Sequence, residues 1–129
     1  MSIEIDGRIC HIFPKGQSGP ALFWGIGAEE QDSPKRMLKL LEQISGKKNW
    51  LLVAYESQDW NRDFSPWPAP AAFGKERFSG GGEETLRWLL ISCVPYVQLY
   101  YNAGICPSDR LLGGYSLSGL FSLWAFYSS

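Results

Sequence analysis

Apolar and polar residues alternate on both sides of Asp6-Gly7, with Ile3 and Ile5 on one arm and Ile9, His11 and Phe13 on the other. A period of two flanking Asp-Gly predicts a hairpin over residues 2–13. The Gly-, Ser- and Pro-rich stretch from Pro14 to Pro20 reads as a loop. Ala21–Gly27 is almost continuously apolar, which predicts a short strand covered on both faces. A helix follows: Ser33 is a suitable N-cap, Pro34 fits the first helical position, and Met37, Leu40, Leu41 and Ile44 recur at helical spacing before Gly46. Residues 50–55 form the next buried strand. Residues 56–82 lack periodicity and carry Pro66, Pro68, Pro70 and Gly80-Gly-Gly82; a loop this long in a compact domain is usually functional.

From Glu83 to about Val97 the chain reads as a helix, with acidic residues in its first turn and a stripe of Leu86, Leu89, Leu90 and Cys93. Pro95 should kink or end it. Residues 110–114 predict a third core strand. Residues 117–127 form a helix apolar on nearly every side, which should therefore be buried. Strands alternating with helices imply an α/β fold with a mostly parallel sheet and flanking helices, in one domain spanning 1–129.

Composition narrows the partners. A hydrophobic fraction of 45% against 19% charged residues belongs to a soluble globular chain. Six Trp, six Tyr and seven Phe call for a wide buried face or an aromatic pocket. The formal net charge of -1, with basic residues scattered, gives no case for nucleic acid or an anionic membrane as partner. No apolar run approaches the ~20 residues of a membrane span, and the acidic, alternating start is unlike a signal peptide. Cys10, Cys93 and Cys106 are odd in number and far apart, as expected of reduced thiols in a cytoplasmic protein. His11 has no ligand-spaced companion, so no metal site is expected.

The segment that carries chemistry is Arg110-Leu-Leu-Gly-Gly-Tyr-Ser-Leu-Ser-Gly119. A serine at the tip of a tight strand-to-helix turn has a strained backbone and tolerates only small residues two positions away. Gly114 and Ser118 fill those positions around Ser116, and Gly119 lets the helix approach the sheet. Such a turn exposes the Ser116 hydroxyl beside a helix N-terminus, where free amides favour developing negative charge. The Leu117 amide would be one oxyanion donor. Ser118 stands where the common G-x-S-x-G pattern has its second glycine, and a plain Gly/Ser-rich turn is the competing interpretation. Trp24-Gly-Ile-Gly27 ends the first parallel strand, where the Ile26 amide, with Gly27 as near alternative, would be the second donor. The competing role of that glycine pair is to turn the chain off the strand.

The elbow Gly-Gly-Tyr-Ser-Leu-Ser-Gly-Leu-Phe121 and the loop Asp59-Trp-Asn-Arg-Asp-Phe-Ser-Pro-Trp-Pro68 together resemble the enterochelin-esterase-like, or esterase-D-like, branch of the α/β-hydrolases. Gly80-Gly-Gly-Glu-Glu84, before a helix ending in Val94-Pro-Tyr96, resembles it too. The resemblance implies a serine that attacks a small-molecule ester, a histidine that activates it and an acid that orients the histidine, with no cofactor. It also implies the chain order serine, acid, histidine. Only a helix follows Ser116 here, so this sequence matches the N-terminal part of the family and lacks the acid and the histidine at their expected places.

No residue within the chain replaces them. His11, the only imidazole, is expected as a packed or edge-facing strand residue away from the elbow. Asp59 and Asp63 have nothing to orient and suit turn capping or pairing with Arg62. Trp60, Phe64 and Trp67, with Phe73 and Phe78, either line a pocket for acyl or aryl groups or bury themselves to hold the loop down. The expectation is a serine hydrolase of carboxylic esters acting through Ser116. An acyltransferase, an inactive fragment and a half-domain completed by a second polypeptide stand as alternatives. A truncated sheet would leave the strand ending at Gly114 as a bare edge and favour self-association.

Overall fold

The computed structural model describes residues 1–29, 33–46, 48–70 and 77–128. Its strands are β1 (Ser2–Ile5), β2 (Arg8–Lys15), β3 (Ala21–Gly27), β4 (Trp50–Ser57), β5 (Pro68–Ala69), β6 (Phe78–Ser79) and β7 (Arg110–Gly113). Its helices are α1 (Ser33–Ser45), α2 (Trp60–Asp63), α3 (Gly82–Trp88), α4 (Val94–Tyr101) and α5 (Leu117–Ser128). Asp6 and Gly7 both take positive φ, at 44° and 84°, which is the mirror-image turn that matches strand twist. The hairpin therefore forms where Asp-Gly places it, with Ile5 opposite Arg8. β2 runs on to Lys15, two residues past the alternation, because Pro14 and Lys15 pair with Leu51 and Trp50.

The main sheet has the order β1-β2-β4-β3-β7. β1–β2 and β2–β4 are antiparallel; β4–β3 and β3–β7 are parallel. With the antiparallel β5–β6 ribbon, antiparallel pairings outnumber parallel ones, so the mostly parallel sheet expected from the strand–helix alternation is corrected to a mixed one. The cause is the N-terminal hairpin, which docks its second strand on β4 and adds two antiparallel members that no crossover helix announces.

One sheet face carries Ile5, Cys10, Ile12, Phe23, Val53 and Tyr55, and packs against Trp88, Cys93, Val97, Phe121 and Ala125 from the later helices. β4 is buried along its whole length, as its apolar run implied. At the other face Trp50 Nε1 donates to Ser45 Oγ at 2.9 Å, which ties down the end of α1. Met37 and Leu41 are half-buried while Leu40 and Ile44 face outward, so only part of the expected α1 stripe meets the sheet. The capping role expected of the Ser33 side chain lies outside the described residues.

Between α3 and α4 the helix continues without a break through one π-helical turn, Leu89–Cys93. Pro95 does not end it. It falls just after the π-helical turn, where the i→i−4 ladder is already interrupted, and the helix runs on to Tyr101. Asn102 closes it in the left-handed conformation, φ 52°.

Among the described residues β7 is the outer strand of the sheet, paired with β3 alone, and Leu111 is 54% exposed. α5 is not the fully buried helix its composition implied. Phe121 and Ala125 face the core, whereas Leu120, Leu123, Phe126 and Tyr127 are exposed. No helix among the described residues is long and apolar enough to cross a membrane.

Candidate active site

Parallel pairing brings the C-terminal ends of β3 and β7 to one side of the sheet, with Trp24 opposite Gly113. Three residues past that pair, Ser116 sits between β7 and α5 with φ 53°, the one serine among the described residues with positive φ. An L-residue holds that conformation at a cost of order 1–3 kcal/mol unless its surroundings impose it. They do. A Cβ on Gly114 would stand 2.6 Å from the Ser118 carbonyl carbon, and one on Gly119 would stand 3.2 Å from Gly114 O, so both positions need minimal side chains. Ser118, fully buried, accepts from the Tyr115 N–H at 2.9 Å and donates to the Tyr115 carbonyl at 3.0 Å. Its hydroxyl ties the turn together from within, work that a glycine at this position could not do.

Leu117 opens α5 directly after Ser116, so its amide lies in the first helical turn, where main-chain N–H groups have no intrahelical acceptor. Ile26 lies two residues past Trp24 on β3, beyond the last pairing with β7 and on the same side of the sheet as Ser116. Its side chain is fully buried and its N–H lies on the β4 side, in step with the Ala28 N–H that donates to Ser57 O. The donor role expected of Ile26 therefore passes to its neighbour Gly27, whose amide faces β7. Below it the sheet is tightly backed: a Cβ on Gly25 would stand 2.7 Å from the Phe64 ring and 3.1 Å from the Tyr55 hydroxyl.

Ser116 opens on a cleft of about 680 Å³ whose walls include Glu29, Asp59, Trp60, Asn61, Arg77 and Tyr115. The lining is mainly polar and includes both cationic and anionic side chains. Trp60 is half-buried and packs on Tyr115 with ring centroids 6.0 Å apart. Phe64, by contrast, is fully buried, 5.0 Å from Trp60 and 5.5 Å from Phe121 by ring centroids. That placement corrects the substrate-binding role expected of Phe64: it supports Trp60 from the core and presents no surface to a ligand. Trp67 is exposed and absent from the walls of this cleft, Phe78 is half-buried on β6, and Phe73 lies outside the described residues.

The acidic residues of the loop have structural partners. Asp59 caps α2 by accepting from the Arg62 amide at 3.3 Å. Asp63 is buried, accepts from Ser57 Oγ at 2.7 Å, and lies 3.8 Å from Arg8 and 3.5 Å from Arg62. Arg62 also pairs with Glu84. His11 is committed elsewhere, with Ser2 Oγ on its Nδ1 at 2.7 Å and Glu56 Oε2 on its Nε2. It lies on β2, three strand spacings, or about 14 Å, from β7. That Ser2–His11–Glu56 row has no sequence signature, because its members come from three strands. Among the described residues no group of three His, Cys, Asp or Glu side chains could hold a metal ion.

Beside β7 a second, apolar groove of about 440 Å³ runs between α5 and the α3–α4 helix, walled by Phe23, Leu89, Val94, Leu112 and Phe126.

Comparison with solved structures places this architecture. An IroE-like serine hydrolase from Shewanella oneidensis superposes with a TM-score of 0.79 at 18% identity, over 99% of this chain and 46% of its own. The siderophore hydrolase EstA from Aspergillus nidulans gives a TM-score of 0.71 at 18% identity, over 100% of this chain and 52% of its own. The enterobactin and salmochelin hydrolase IroE gives 0.64 at 25% identity, over 100% and 56%. No family model and no curated protein matches the sequence. The chain thus resembles the N-terminal part of enterochelin-esterase-like α/β-hydrolases, and it spans about half the length of the solved structures it matches.

Proposed function

We propose that residues 1–129 form one partial domain, the nucleophile-bearing half of a serine hydrolase that cleaves carboxylic esters through an acyl-enzyme on Ser116. The observation that carries this reading is Ser116 itself, held at φ 53° on a strand-to-helix turn at the mouth of a polar cleft. In the proposed reaction Ser116 Oγ attacks the ester carbonyl. The amides of Leu117 and Gly27 stabilise the oxyanion, and collapse of the tetrahedral intermediate expels the alcohol. Trp60 forms the wall against which the ester is placed. Arg77 and Asp59 in the lining favour a polar ester over a plain acyl chain. The siderophore substrates of EstA and IroE make a siderophore-type ester the first to test. Three unpaired thiols suit a reducing, cytoplasmic setting.

A base and its orienter are needed for turnover, and His11 is engaged elsewhere. The second reading, a half-domain completed by another polypeptide, is favoured by the bare β7 edge and the apolar groove beside it. On that reading the added part pairs with β7 and brings an acid and a histidine to Ser116.

Treatment of the folded chain with a fluorophosphonate, followed by peptide mapping, tests the assignment. An adduct on Ser116 that Ser116→Ala abolishes is expected; a folded chain that never labels at Ser116 overturns it. Turnover of p-nitrophenyl acetate by the chain alone should fall on the order of 10⁴ to 10⁶ below that of a complete triad enzyme.

A further inference from the structure

The only histidine of the chain stands between a serine and a carboxylate. Ser2 and His11 are direct cross-strand neighbours on β1 and β2. His11 is opposite Ala54 on β4, and Glu56, two residues on, points to the same face. The three side chains therefore form a row across three strands, with Ser2 Oγ 2.7 Å from Nδ1 and Glu56 Oε2 on Nε2. Exposure is graded along it: the side chain of Glu56 is 4% exposed, that of His11 16%, and Ser2 is open to solvent.

We propose that Ser2, His11 and Glu56 form a second nucleophilic centre that accepts an acyl or phosphonyl group from small activated donors. With Glu56 accepting a hydrogen bond from Nε2–H, His11 is held in the tautomer that leaves Nδ1 without a proton. The Nδ1 lone pair then faces Ser2, whose hydroxyl must donate to it. This is the relation of nucleophile, base and orienter found in serine triads, with the two ring nitrogens exchanged. Attack by Ser2 Oγ on an activated ester passes its proton to His11 Nδ1. The carbonyl electron pair moves to oxygen, and collapse expels the aryloxide, which recovers the proton from His11 as a phenol. The products are O-acyl Ser2 and one phenol.

The edge position of β1 adds a donor. The Met1 and Ile12 backbones exchange hydrogen bonds, Ile12 N–H to Met1 O at 2.8 Å and the Met1 ammonium to Ile12 O at 3.4 Å. Bonded and non-bonded pairs alternate along an antiparallel ladder, so the Ser2 N–H points away from β2, to the open side of the sheet. It is free to meet an oxyanion formed on Ser2. Ser2 is open to solvent, which limits the donor to small, activated compounds and makes the centre an acceptor with slow release.

The test uses a fluorophosphonate on the full chain in both wild type and Ser116→Ala, so that labelling at Ser116 and at Ser2 are read separately by peptide mapping. The proposal expects an adduct on Ser2 in both proteins. Its formation should slow on the order of 100-fold in His11→Gln, the scale of a lost general base, and measurably in the isosteric Glu56→Gln. Circular dichroism establishes that each variant is folded, and Glu56→Gln carries the comparison if His11→Gln is not. Absence of a Ser2 adduct on folded protein, or labelling of Ser2 at the same rate in the variants, would falsify the second centre. Neither result bears on Ser116.

Discussion

The hydroxyl of Ser118 both accepts from and donates to the backbone of Tyr115, at 2.9 and 3.0 Å, and so closes the turn that holds Ser116 at positive φ. Ser118→Ala removes that partner from both the amide and the carbonyl of Tyr115 in a part-buried turn. A loss of about 1–3 kcal/mol is expected, read as a lower melting temperature. Ser116 should also label more slowly with a fluorophosphonate once its turn relaxes. An unchanged melt and labelling rate would mean that the turn is held by other contacts.

Gly114→Ala should be worse tolerated, because the new methyl group falls on Ser118 itself. Overpacking at such a site costs about 1–3 kcal/mol. The double variant Gly114→Ala/Ser118→Gly should recover part of the loss. Chemical denaturation of the three variants measures the coupling, and strict additivity would refute the contact.

The chain by itself should self-associate. β7 presents unpaired backbone groups at its outer edge, and α5 adds an exposed stripe of Leu120, Leu123, Phe126 and Tyr127. Light scattering coupled to size exclusion should find species larger than one chain, with binding of dyes specific for apolar surface. Leu123→Lys and Phe126→Lys should shift the distribution toward monomer without lowering the melting temperature. A compact, dye-silent wild-type monomer would contradict the expectation.

Alkaline pH should loosen the fold. Burial pushes the Tyr55 phenol above its usual range, and the hydrogen bond with Cys10, followed by burial, does the same to the Cys93 thiol. Both groups are raised in the folded state, so their contribution is complete below the unfolded values of about 8.5 for Cys and 10 for Tyr. It is lost as pH climbs toward the folded values. Melting temperature should therefore fall above about pH 9. Tyr55→Phe should flatten the part of that fall above pH 10. It should also raise stability at neutral pH by about 1 kcal/mol, because the buried hydroxyl has no hydrogen-bond partner among the described residues. A steeper fall or a loss of stability in Tyr55→Phe would show that the hydroxyl is satisfied.

Local signals were legible in the sequence where one short segment decides the outcome. Asp6-Gly7 specifies its own turn, Ala21–Gly27 is bounded by loop residues on both sides, and small residues frame Ser116. What depends on distant pairing was not legible. The antiparallel docking of β2 on β4 joins His11 to Ala54 across the sheet and brings Glu56 within reach, a relation that no periodicity contains. Trp60 and Phe64 belong to the same aromatic loop and look equivalent as residues. They part company because α2 is a single turn, too short to leave a pattern: Trp60 starts it at the cleft and Phe64 ends it inside the core.

The π-helical turn at Leu89–Cys93 acts as a phase shifter. One extra residue in a turn advances the helix by about 100°, so every later side chain arrives on the core one position later than a regular α-helix would bring it. Thr85, Trp88 and Leu89 are buried before the turn, and Cys93 and Val97 after it, while Ser92 and Tyr96 are only half-buried. Forcing a regular α-helix through the full sequence would turn Ser92 and Tyr96 inward in place of Cys93 and Val97. Removing one residue from 89–92 would instead let an unbroken α-helix bring Cys93 and Val97 to the core, because the π-turn takes up that one extra residue. A one-residue deletion should therefore be better tolerated in this stretch than in a regular part of the helix.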